Sequence, residues 1–472
     1  MGKTTFSPSS FPCDRLPPPP PELTYRHMTS AIETATRIPR DSHPISRANI
    51  SDSALKVMSR LRSQGYQGYL VGGAVRDLML GNLPKDFDVA TDATPEQVHG
   101  LFRNSRIIGR RFKIVHVRFG REIIEVTTFR GHHDDDQDDD EELDVRGKPS
   151  KHSQQAASGM LLRDNVYGSL EDDALRRDFT VNALYYCSSD FSVFDYAQGV
   201  SDLEKKQIRI IGDAEKRYRE DPVRMLRAIR FAAKLDFDIE EHTAEPIADL
   251  AYMLEAIPAA RLFDEMLKLF MAGYALRTFT LLREYQLLDH LFPATATALE
   301  ESTYGLELIE AAMRSTDQRI AEDKPVTPAF ILAALLWPPT ILLKDQIAEP
   351  GDDTLPALQE AAQTIISEQI HHIAIPKRFT IPMKEIWEFQ LRLLKRRGKN
   401  VNSLVAHRRF RAAYDFLLLR EVSGEDLDGL GMFWTELQEN LPPGPPPGDE
   451  NEVREEDVPR KRRRRRRRPR KQ

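Results

Sequence analysis

Two aspartates that follow a pair of glycines are the residues whose types and spacing most clearly suit chemistry in this sequence. Asp86 and Asp88 stand two positions apart in a segment, residues 86–90, that alternates in polarity as a half-buried strand does. Because side chains at i and i+2 of a strand share one face, the two carboxylates would lie side by side, and divalent cations between them would relieve their repulsion. Two Mg²⁺ ions held in this way activate an attacking hydroxyl and neutralise a leaving pyrophosphate. The pair therefore predicts phosphoryl transfer that uses two metal ions.

The glycines Gly72 and Gly73 stand between a predicted strand at residues 69–71 and a predicted helix at residues 74–80. Without Cβ atoms they would let a triphosphate approach the backbone N–H groups at the start of that helix, where the helix dipole favours anions. Arg76, one turn into the helix, could clamp a phosphate. A lone Gly-Gly pair or a lone Asp-x-Asp is more often a solvated turn, but their combination at this spacing favours a nucleotide site.

Two further clusters suit nucleotide binding, and each also has a simpler interpretation. Arg177 could contact a phosphate, Asp178 could accept from a ribose hydroxyl or complete the carboxylate set, and Asn182 could contact the sugar. The alternative is an Arg-Asp capping pair before a strand. Asp221 and Arg224 lie one turn apart at the start of a predicted helix, where they could read a base edge or form an intrahelical salt bridge.

A third, basic stretch contains Arg110, Arg111 and Lys113 beside an apolar strand predicted at residues 114–118. These cations could hold RNA or a triphosphate. The alternative is a basic edge strand, because charged residues often protect exposed sheet edges.

The elements that must position these residues change in character along the chain. Residues 1–48 are rich in Pro and Ser and predict a disordered leader. Short strands and helices then alternate as in a small mixed α/β head, which a polar, acidic loop at residues 132–158 interrupts. Helical periodicity dominates from residue 221 onward, and residues 441–472 predict a disordered, low-complexity tail. The predicted fold class is α+β, with a mixed-sheet head followed by an all-α remainder.

Composition indicates a soluble chain whose charges are separated. The 472 residues carry a formal net charge of −6, yet residues 460–471 contain eleven Lys or Arg residues, which leaves the rest strongly acidic. Such a basic tail suits a polyphosphate partner. Cys13 and Cys187 match neither a metal-ligand spacing nor a disulfide framework, and the longest apolar stretch, residues 330–337, is too short to span a bilayer. We therefore expect a cytoplasmic protein without membrane insertion.

Four motifs together resemble the ordered motifs of the class II nucleotidyltransferases of the DNA polymerase β superfamily. They are Gly72-Gly73-x-Val75-Arg76-Asp77, Asp86-x-Asp88, Arg177-Asp178-x-x-x-Asn182 and Glu220-Asp221-x-x-Arg224. That family contains CCA-adding tRNA nucleotidyltransferases and bacterial poly(A) polymerases, which are built from a catalytic head, a helical neck and a helical body. The stretch at residues 107–117, the segment at residues 378–383 and the Arg-rich end resemble the polymerase branch. The resemblance covers roughly residues 55–420.

The resemblance implies a catalytic head at residues 49–200, a neck for base recognition at residues 201–275 and an RNA-binding body at residues 276–440. It also implies a set of residues that bind the nucleotide. These are Gly72, Gly73, Arg76, Arg177, Asn182, Asp221, Arg224 and Arg227.

Catalytic roles follow from the same resemblance. Asp86 and Asp88 would bind the two Mg²⁺ ions, which Mn²⁺ could replace. Asp178 would be the third essential acid, and Glu125, on a predicted strand, is its competitor because related polymerases place a third carboxylate on a neighbouring strand.

The activity that the resemblance implies is template-independent polyadenylation. An RNA 3′ hydroxyl would attack the α-phosphate of ATP, and pyrophosphate would leave. We expect a monomer whose partners are RNA 3′ ends, ATP and the RNA-decay machinery. Apart from Arg110, Arg111 and Lys113, the predicted RNA surface lies in the body, where a solvated helix face is the alternative for each residue. The body candidates are Arg392, Lys395, Arg396, Arg397, Lys399, Arg408, Arg409 and Arg411.

Two other functions remain open from the sequence. A CCA-adding enzyme shares every catalytic motif, and a non-catalytic RNA-binding protein with a decayed head is a rival from another class.

Overall fold

A computed structural model describes residues 35–109, 113–131, 153–155, 161–164, 167–301, 303–348, 355–396 and 401–440. The chain divides into two compact units. The first comprises residues up to 293 together with residues 320–322 and 371–374, and the second comprises the remainder. Each unit is considered by itself below.

An eight-stranded mixed sheet forms the centre of the first unit, in the order β1-β10-β9-β2-β3-β6-β5-β4. Strands β3 and β6 pair in parallel, whereas the other neighbours are antiparallel. The bounds of these strands are β1 Thr36–Ile38, β2 Tyr69–Val71, β3 Asp88–Thr91, β4 Ser105–Ile108, β5 Ile114–Phe119, β6 Glu122–Thr128, β9 Leu184–Cys187 and β10 Val193–Asp195. Strands β7 (Ser153–Gln155) and β8 (Leu161–Asp164) form a separate antiparallel pair, and β11 (Gln207–Ile208) pairs in parallel with β12 (Asp238–Ile239).

Twelve helices accompany these strands among the described residues of the first unit. They are α1 Asp52–Ser63, α2 Gly73–Met79, α3 Pro95–Leu101, α4 Leu170–Leu175, α5 Gly199–Lys205, α6 Ala214–Glu220, α7 Val223–Leu235, α8 Glu241–Ala244, α9 Ile247–Leu250, α10 Ala259–Phe270, α11 Ala275–Glu284 and α12 Leu288–Leu291. Local chemistry explains several of their boundaries. In α3, for example, Thr94 and Gln97 form a capping box and Pro95 occupies the first turn.

The central strands are held by burial on both faces. All three residues of β2 are buried, and on one side of the sheet Tyr69 and Val71 pack with Phe129, Tyr185 and Phe194. The packing of these aromatic and β-branched side chains fixes the position of the end of β2 in the sheet. The glycine turn that follows β2 therefore begins from a rigid position.

The second unit is helical. Its elements are α13 Pro293–Glu301, α14 Thr303–Ala321, α15 Pro328–Ile347, α16 Leu355–His372, α17 Lys377–Leu393, α18 Val401–Val405, α19 Phe410–Val422 and α20 Leu430–Asn440. One or two terminal residues of α13, α14 and α16 belong to the first unit. A mixed-sheet head followed by helices confirms the predicted α+β class.

Helix α15 is the one helix of the described residues that is long and apolar enough to cross a membrane by length and composition alone. Its residues 331–340 are buried within the second unit, as in the core helix of a soluble protein. Pro338 and Pro339 lie inside this helix, which continues to Ile347. Pro339 has no N–H to offer the carbonyl of Leu335, and the Thr295 hydroxyl donates to that oxygen instead, at 2.8 Å.

The predicted leader also needs a correction. Strand β1 joins the sheet through β10, and Ile45 is 1% exposed, so order begins before residue 49. Composition alone missed this strand because its pairing partner lies more than 150 residues later. The predicted acidic loop at residues 132–158 falls largely outside the described residues, but residues 153–155 form β7 and are not loop. Residues 1–34 and the predicted tail lie outside the described part of the chain.

Candidate active site

The glycine turn between β2 and α2 requires a residue without a side chain. Gly72 has φ +70° and ψ −134°, a conformation that is essentially restricted to glycine. A Cβ placed on Gly72 would lie 3.4 Å from Nη1 of Arg177, and the Gly72 N–H donates to the Leu184 carbonyl at 3.3 Å. Helix α2 begins at Gly73, one residue earlier than the predicted start. The turn itself carries no side chain at Gly72, and the guanidinium of Arg177 lies directly beside it.

Arg76, on α2, is buried and held by protein partners. Its Nη1 donates to Oδ1 of Asn182 at 2.7 Å, and its Nε and Nη2 donate to Oδ1 of Asp77 at 2.8 and 2.7 Å. Only 2% of its side chain is exposed. The structure therefore places Arg76 at the turn, as predicted, but its guanidinium anchors α2 to the 3-10 turn Thr180–Asn182.

The aspartate pair lies at the start of β3. Asp88 is the first residue of that strand, while Asp86 precedes it, so the predicted strand at residues 86–90 begins two positions too early. The pKa of Asp88 is raised to about 6, first by burial and then by Glu125 and Asp86, while the charges of Arg177 and His116 act in the opposite direction. Asp86 is thus close enough to Asp88 to repel its charge. The two acids form the predicted electrostatic pair.

Glu125 completes this acidic cluster. It is the direct register partner of Asp88 in the parallel pairing of β3 with β6. On its other side, Oε1 of Glu125 lies 3.1 Å from Nε2 of His116, its partner on β5. After burial, Glu125 is the largest influence on the pKa of Asp88. The carboxylate that sequence reasoning ranked second therefore lies beside the aspartate pair.

Asp178 occupies a different environment. Its Oδ2 accepts a hydrogen bond from Nε of Arg227 at 2.6 Å, and its Oδ1 accepts from the backbone N–H of Phe179 at 2.9 Å. Burial works to raise the pKa of Asp178, but the neighbouring Arg227 outweighs it and the pKa is lowered. Asp178 is also within 3.4 Å of Nδ2 of Asn182. The structure thus pairs Asp178, predicted as the third catalytic acid, with Arg227, predicted to bind the nucleotide.

The donor set suits a hard divalent cation. Carboxylate oxygens are the ligands that Mg²⁺ prefers, and their mutual repulsion, visible in the raised pKa of Asp88, is relieved by a cation between them. Within the described residues, no three His, Cys, Asp or Glu side chains converge as a ready-made metal site. In proteins, Mg²⁺ is commonly held by one or two carboxylates, and substrate phosphates complete its shell.

Asp221 and Arg224 lie at the junction of α6 and α7, and each has another partner. Oδ2 of Asp221 accepts from Nη2 of Arg261 at 2.8 Å. Nη1 of Arg224 donates to Oε2 of Glu220 and to the Arg217 carbonyl, both at 2.7 Å. The alternative of an intrahelical Asp221–Arg224 salt bridge is therefore wrong. The two side chains are fixed independently, and sequence reasoning missed the contribution of Arg261.

Six of the seven described cations that were predicted to bind RNA, all except Lys395, are paired with acids. Lys113 contacts Glu96 at 2.7 Å in the first unit. In the second unit, Arg408 and Arg409 share Glu385, at 2.9 and 2.6 Å, and Arg396 contacts Asp428 at 2.9 Å. Arg392 and Arg411 pair within their helices with Glu388 and Asp415. Arg110, Arg111, Arg397 and Lys399 lie outside the described residues.

Comparisons with known proteins show which family the chain resembles. Residues 68–209 match the family model described as poly A polymerase head domain, residues 236–299 match "probable RNA and SrmB- binding site of polymerase A", and residues 350–472 match "polymerase A arginine-rich C-terminus". The chain is 50% identical to poly(A) polymerase I of Escherichia coli over 430 residues, which is 90% of each chain. It is 43% identical to poly(A) polymerase I of Haemophilus influenzae over 88% of this chain and 90% of that one.

Similarity to CCA-adding enzymes is more limited. The CCA-adding enzyme of Streptococcus pyogenes is 37% identical over 50% of this chain and 54% of its own length. Among solved structures, the Bacillus stearothermophilus CCA-adding enzyme in complex with CTP shares the fold, with a TM-score of 0.55, 24% identity and 82% coverage of both chains.

Proposed function

The chain belongs to the poly(A) polymerase I family of polynucleotide adenylyltransferases, and we propose that it extends RNA 3′ ends with AMP units from ATP, without a template and with release of pyrophosphate. The observation that carries this proposal is the acidic cluster of Asp86, Asp88 and Glu125 in the same site as the glycine turn. Arg177 links the two, since its Nη1 borders Gly72 and its charge acts on Asp88.

In the proposed reaction, Asp86 and Asp88 hold two Mg²⁺ ions, or Mn²⁺ in their place. When bound, the metal ions lower the pKa of the attacking hydroxyl and neutralise the charge that develops on pyrophosphate. The protein holds the carboxylates in place, because Asp88 is fixed between its neighbours on β2 and β6. Glu125 is the better-placed third carboxylate, and Asp178 is the alternative.

Nucleotide binding is assigned to groups around the turn. The backbone at Gly72 and Gly73 leaves room for the triphosphate, and Arg177 supplies a cation beside it. Arg76 and Asn182 support the turn from within the protein.

Base recognition is assigned to Asp221 and Arg224. One carboxylate and one guanidinium, each held by a separate partner, present an acceptor and donors in fixed positions. Arg227 serves the nucleotide indirectly, through its pair with Asp178.

RNA is proposed to bind the segment at residues 236–299 and the Arg-rich C-terminal end. Eleven cations within residues 460–471 would add salt-dependent affinity that is independent of sequence. Because most of the predicted cations described in the body are ion-paired, they would contribute less than the prediction assumed. We further propose that the protein acts in RNA turnover, contacts the RNA-decay machinery, is monomeric and is located in the cytoplasm.

The deciding experiment offers each of the four nucleotides separately on tRNA and on unstructured RNA. Predominant use of ATP on unstructured RNA supports polyadenylation, whereas ordered addition of C, C and A confined to tRNA would establish the CCA-adding alternative. The wide coverage by poly(A) polymerases, against half coverage by CCA-adding enzymes, favours the first outcome. Persistence of AMP incorporation after Asp86→Ala and Asp88→Ala would show that the assigned acids are not the catalytic ones, and absence of incorporation by the wild type would favour an RNA-binding protein.

A further inference from the structure

Arg177 is held by two buried side chains, Asp173 and Tyr185, that none of the sequence motifs includes. Nε of Arg177 donates to the Tyr185 hydroxyl at 2.8 Å, and its Nη2 donates to Oδ2 of Asp173 at 3.0 Å. The Tyr185 hydroxyl donates in turn to the same Asp173 oxygen at 2.7 Å. The three groups therefore form a closed ring of hydrogen bonds.

This ring is shielded from water. Tyr185 is fully buried, and Asp173 is 5% exposed. Burial raises the pKa of Tyr185 well above its ordinary value, so the phenol keeps its proton and can accept one hydrogen bond while it donates another. The second oxygen of Asp173, Oδ1, accepts from the backbone N–H of Arg130 at 3.2 Å. Both carboxylate oxygens are thus fixed.

The ring determines which edge of the guanidinium faces the site. Nε and Nη2 of Arg177 are directed to Tyr185 and Asp173, whereas Nη1 is the atom that lies 3.4 Å from the Cβ position of Gly72. A free arginine side chain loses rotamer entropy when it is ordered. In this protein the ordering is completed on folding, before any nucleotide arrives.

We propose that Asp173 and Tyr185 are positioning residues for nucleotide binding, which orient Arg177 so that its Nη1 edge meets the triphosphate of ATP at the Gly72 turn. This inference rests on the proposed function of the site. A purely structural role for the ring would give a different result, because loss of the Tyr185 hydroxyl would then lower stability and leave the affinity for ATP unchanged.

The test measures ATP binding to the full-length protein in the presence of Mg²⁺ and without RNA, by calorimetry. Tyr185→Phe removes the hydroxyl and keeps the ring, and we expect it to weaken ATP binding about tenfold, the typical effect of one hydrogen bond to a charged group. Asp173→Asn should act in the same direction.

Tyr186→Phe is the matched control. Tyr186 is the next residue of β9 and is equally buried, but its hydroxyl has no hydrogen-bond partner among the described residues. We expect this variant to bind ATP as the wild type does. Equal weakening by both tyrosine variants would overturn the proposal, as would wild-type affinity in Tyr185→Phe.

Coupling to Arg177 provides the readout that a structural role would not change. In an Arg177→Lys background the hydroxyl has no Nε to orient, so adding Tyr185→Phe should weaken ATP binding no further. Additive losses would refute the proposal. During catalysis, Tyr185→Phe should raise KM for ATP more than it lowers kcat, and it should not alter KM for RNA. If the wild type incorporates no AMP, the proposed function fails, whereas incorporation with an unaffected Tyr185→Phe variant removes only this inference.

Discussion

Arg76 and Asn182, which are 106 positions apart in the chain, are joined by a buried hydrogen bond of 2.7 Å between Nη1 and Oδ1. This bond ties the helix after the glycine turn to the 3-10 turn that also carries the Asn182 contact to Asp178. Hydrogen bonds therefore connect the glycine turn to the Arg177-Asp178-x-x-x-Asn182 motif.

Asn182→Ala should destabilise the protein by about 1 to 3 kcal/mol, because it leaves a buried edge of the Arg76 guanidinium without its acceptor. Urea denaturation measures the change. Asn49→Ala, at an exposed position, is the control and should lie within about 0.5 kcal/mol of the wild type. Equal stability of the two variants would contradict this role for the bond.

Gly72→Ala should abolish most AMP incorporation and lower stability, since its φ of +70° with ψ of −134° is strained for alanine and the new Cβ would face Nη1 of Arg177. Gly100→Ala is the control. Gly100 lies in α3 with no atom within 4 Å of its Cβ position, so alanine there should be neutral or stabilising by up to about 1 kcal/mol. Comparable activity of both variants would show that the turn tolerates a side chain.

Asp88→Asn should stabilise the metal-free protein at pH 8. The pKa of Asp88 is raised from 3.8 to about 6 by burial and by its acidic neighbours, so the folded state binds this proton more tightly than the unfolded chain. The free energy of unfolding therefore falls as the pH rises from about 4 to about 6. Asparagine does not ionise, so the variant does not lose this free energy. We expect its free energy of unfolding to exceed that of the wild type by about 1 to 2 kcal/mol at pH 8 and to equal it near pH 4.

The measurement for Asp88→Asn is urea denaturation in EDTA across this pH range. Addition of Mg²⁺ at pH 8 should stabilise the wild type more than the variant. A variant that is less stable than the wild type at pH 8 in EDTA would show that repulsion does not dominate at this position.

The third carboxylate can be identified by metal dependence. Glu125→Gln should raise the Mg²⁺ concentration needed for half-maximal AMP incorporation, because Glu125 adjoins Asp88. Asp178→Asn should instead lower stability, by about 1 to 3 kcal/mol, because it leaves Arg227 without its countercharge. The reverse pattern, with the Mg²⁺ requirement altered only by Asp178→Asn, would assign the role to Asp178.

The parts of the site that the sequence predicted are those in which neighbouring residues determine the geometry. The turn at Gly72 and the proximity of Asp86 to Asp88 follow from local spacing. Glu125 could not be placed in the same way, because its position beside Asp88 depends on the register of two strands that are paired in the sheet but are not consecutive in the chain. The signal that could have favoured it was its position on a predicted strand close in sequence to the acidic pair.

The sequence also did not show which charged residues pair with one another. Spacing on a helix allowed Arg224 to reach Asp221, yet Glu220 accepts its hydrogen bond and Arg261, forty positions away, takes Asp221. Likewise, the arginines at residues 408 and 409 suggested a basic surface, while the acid that they share, Glu385, lies on another helix. Sequence identifies the charged groups, but tertiary packing decides which of them neutralise one another.

The position of β9 between β10 and β2 has a consequence for biosynthesis. While the ribosome has not yet delivered Leu184, the apolar strand β2 lacks one of its two neighbours, and its open edge can pair with any other exposed strand. Asp86 and Asp88 are by then already translated, but Arg177, which borders the glycine turn, is translated only shortly before β9. Fragments that end before β9 should therefore aggregate in a sedimentation assay. In the full chain, the pairing of β9 with β2 covers the open edge of β2 at the same late stage at which the proposed nucleotide site is completed.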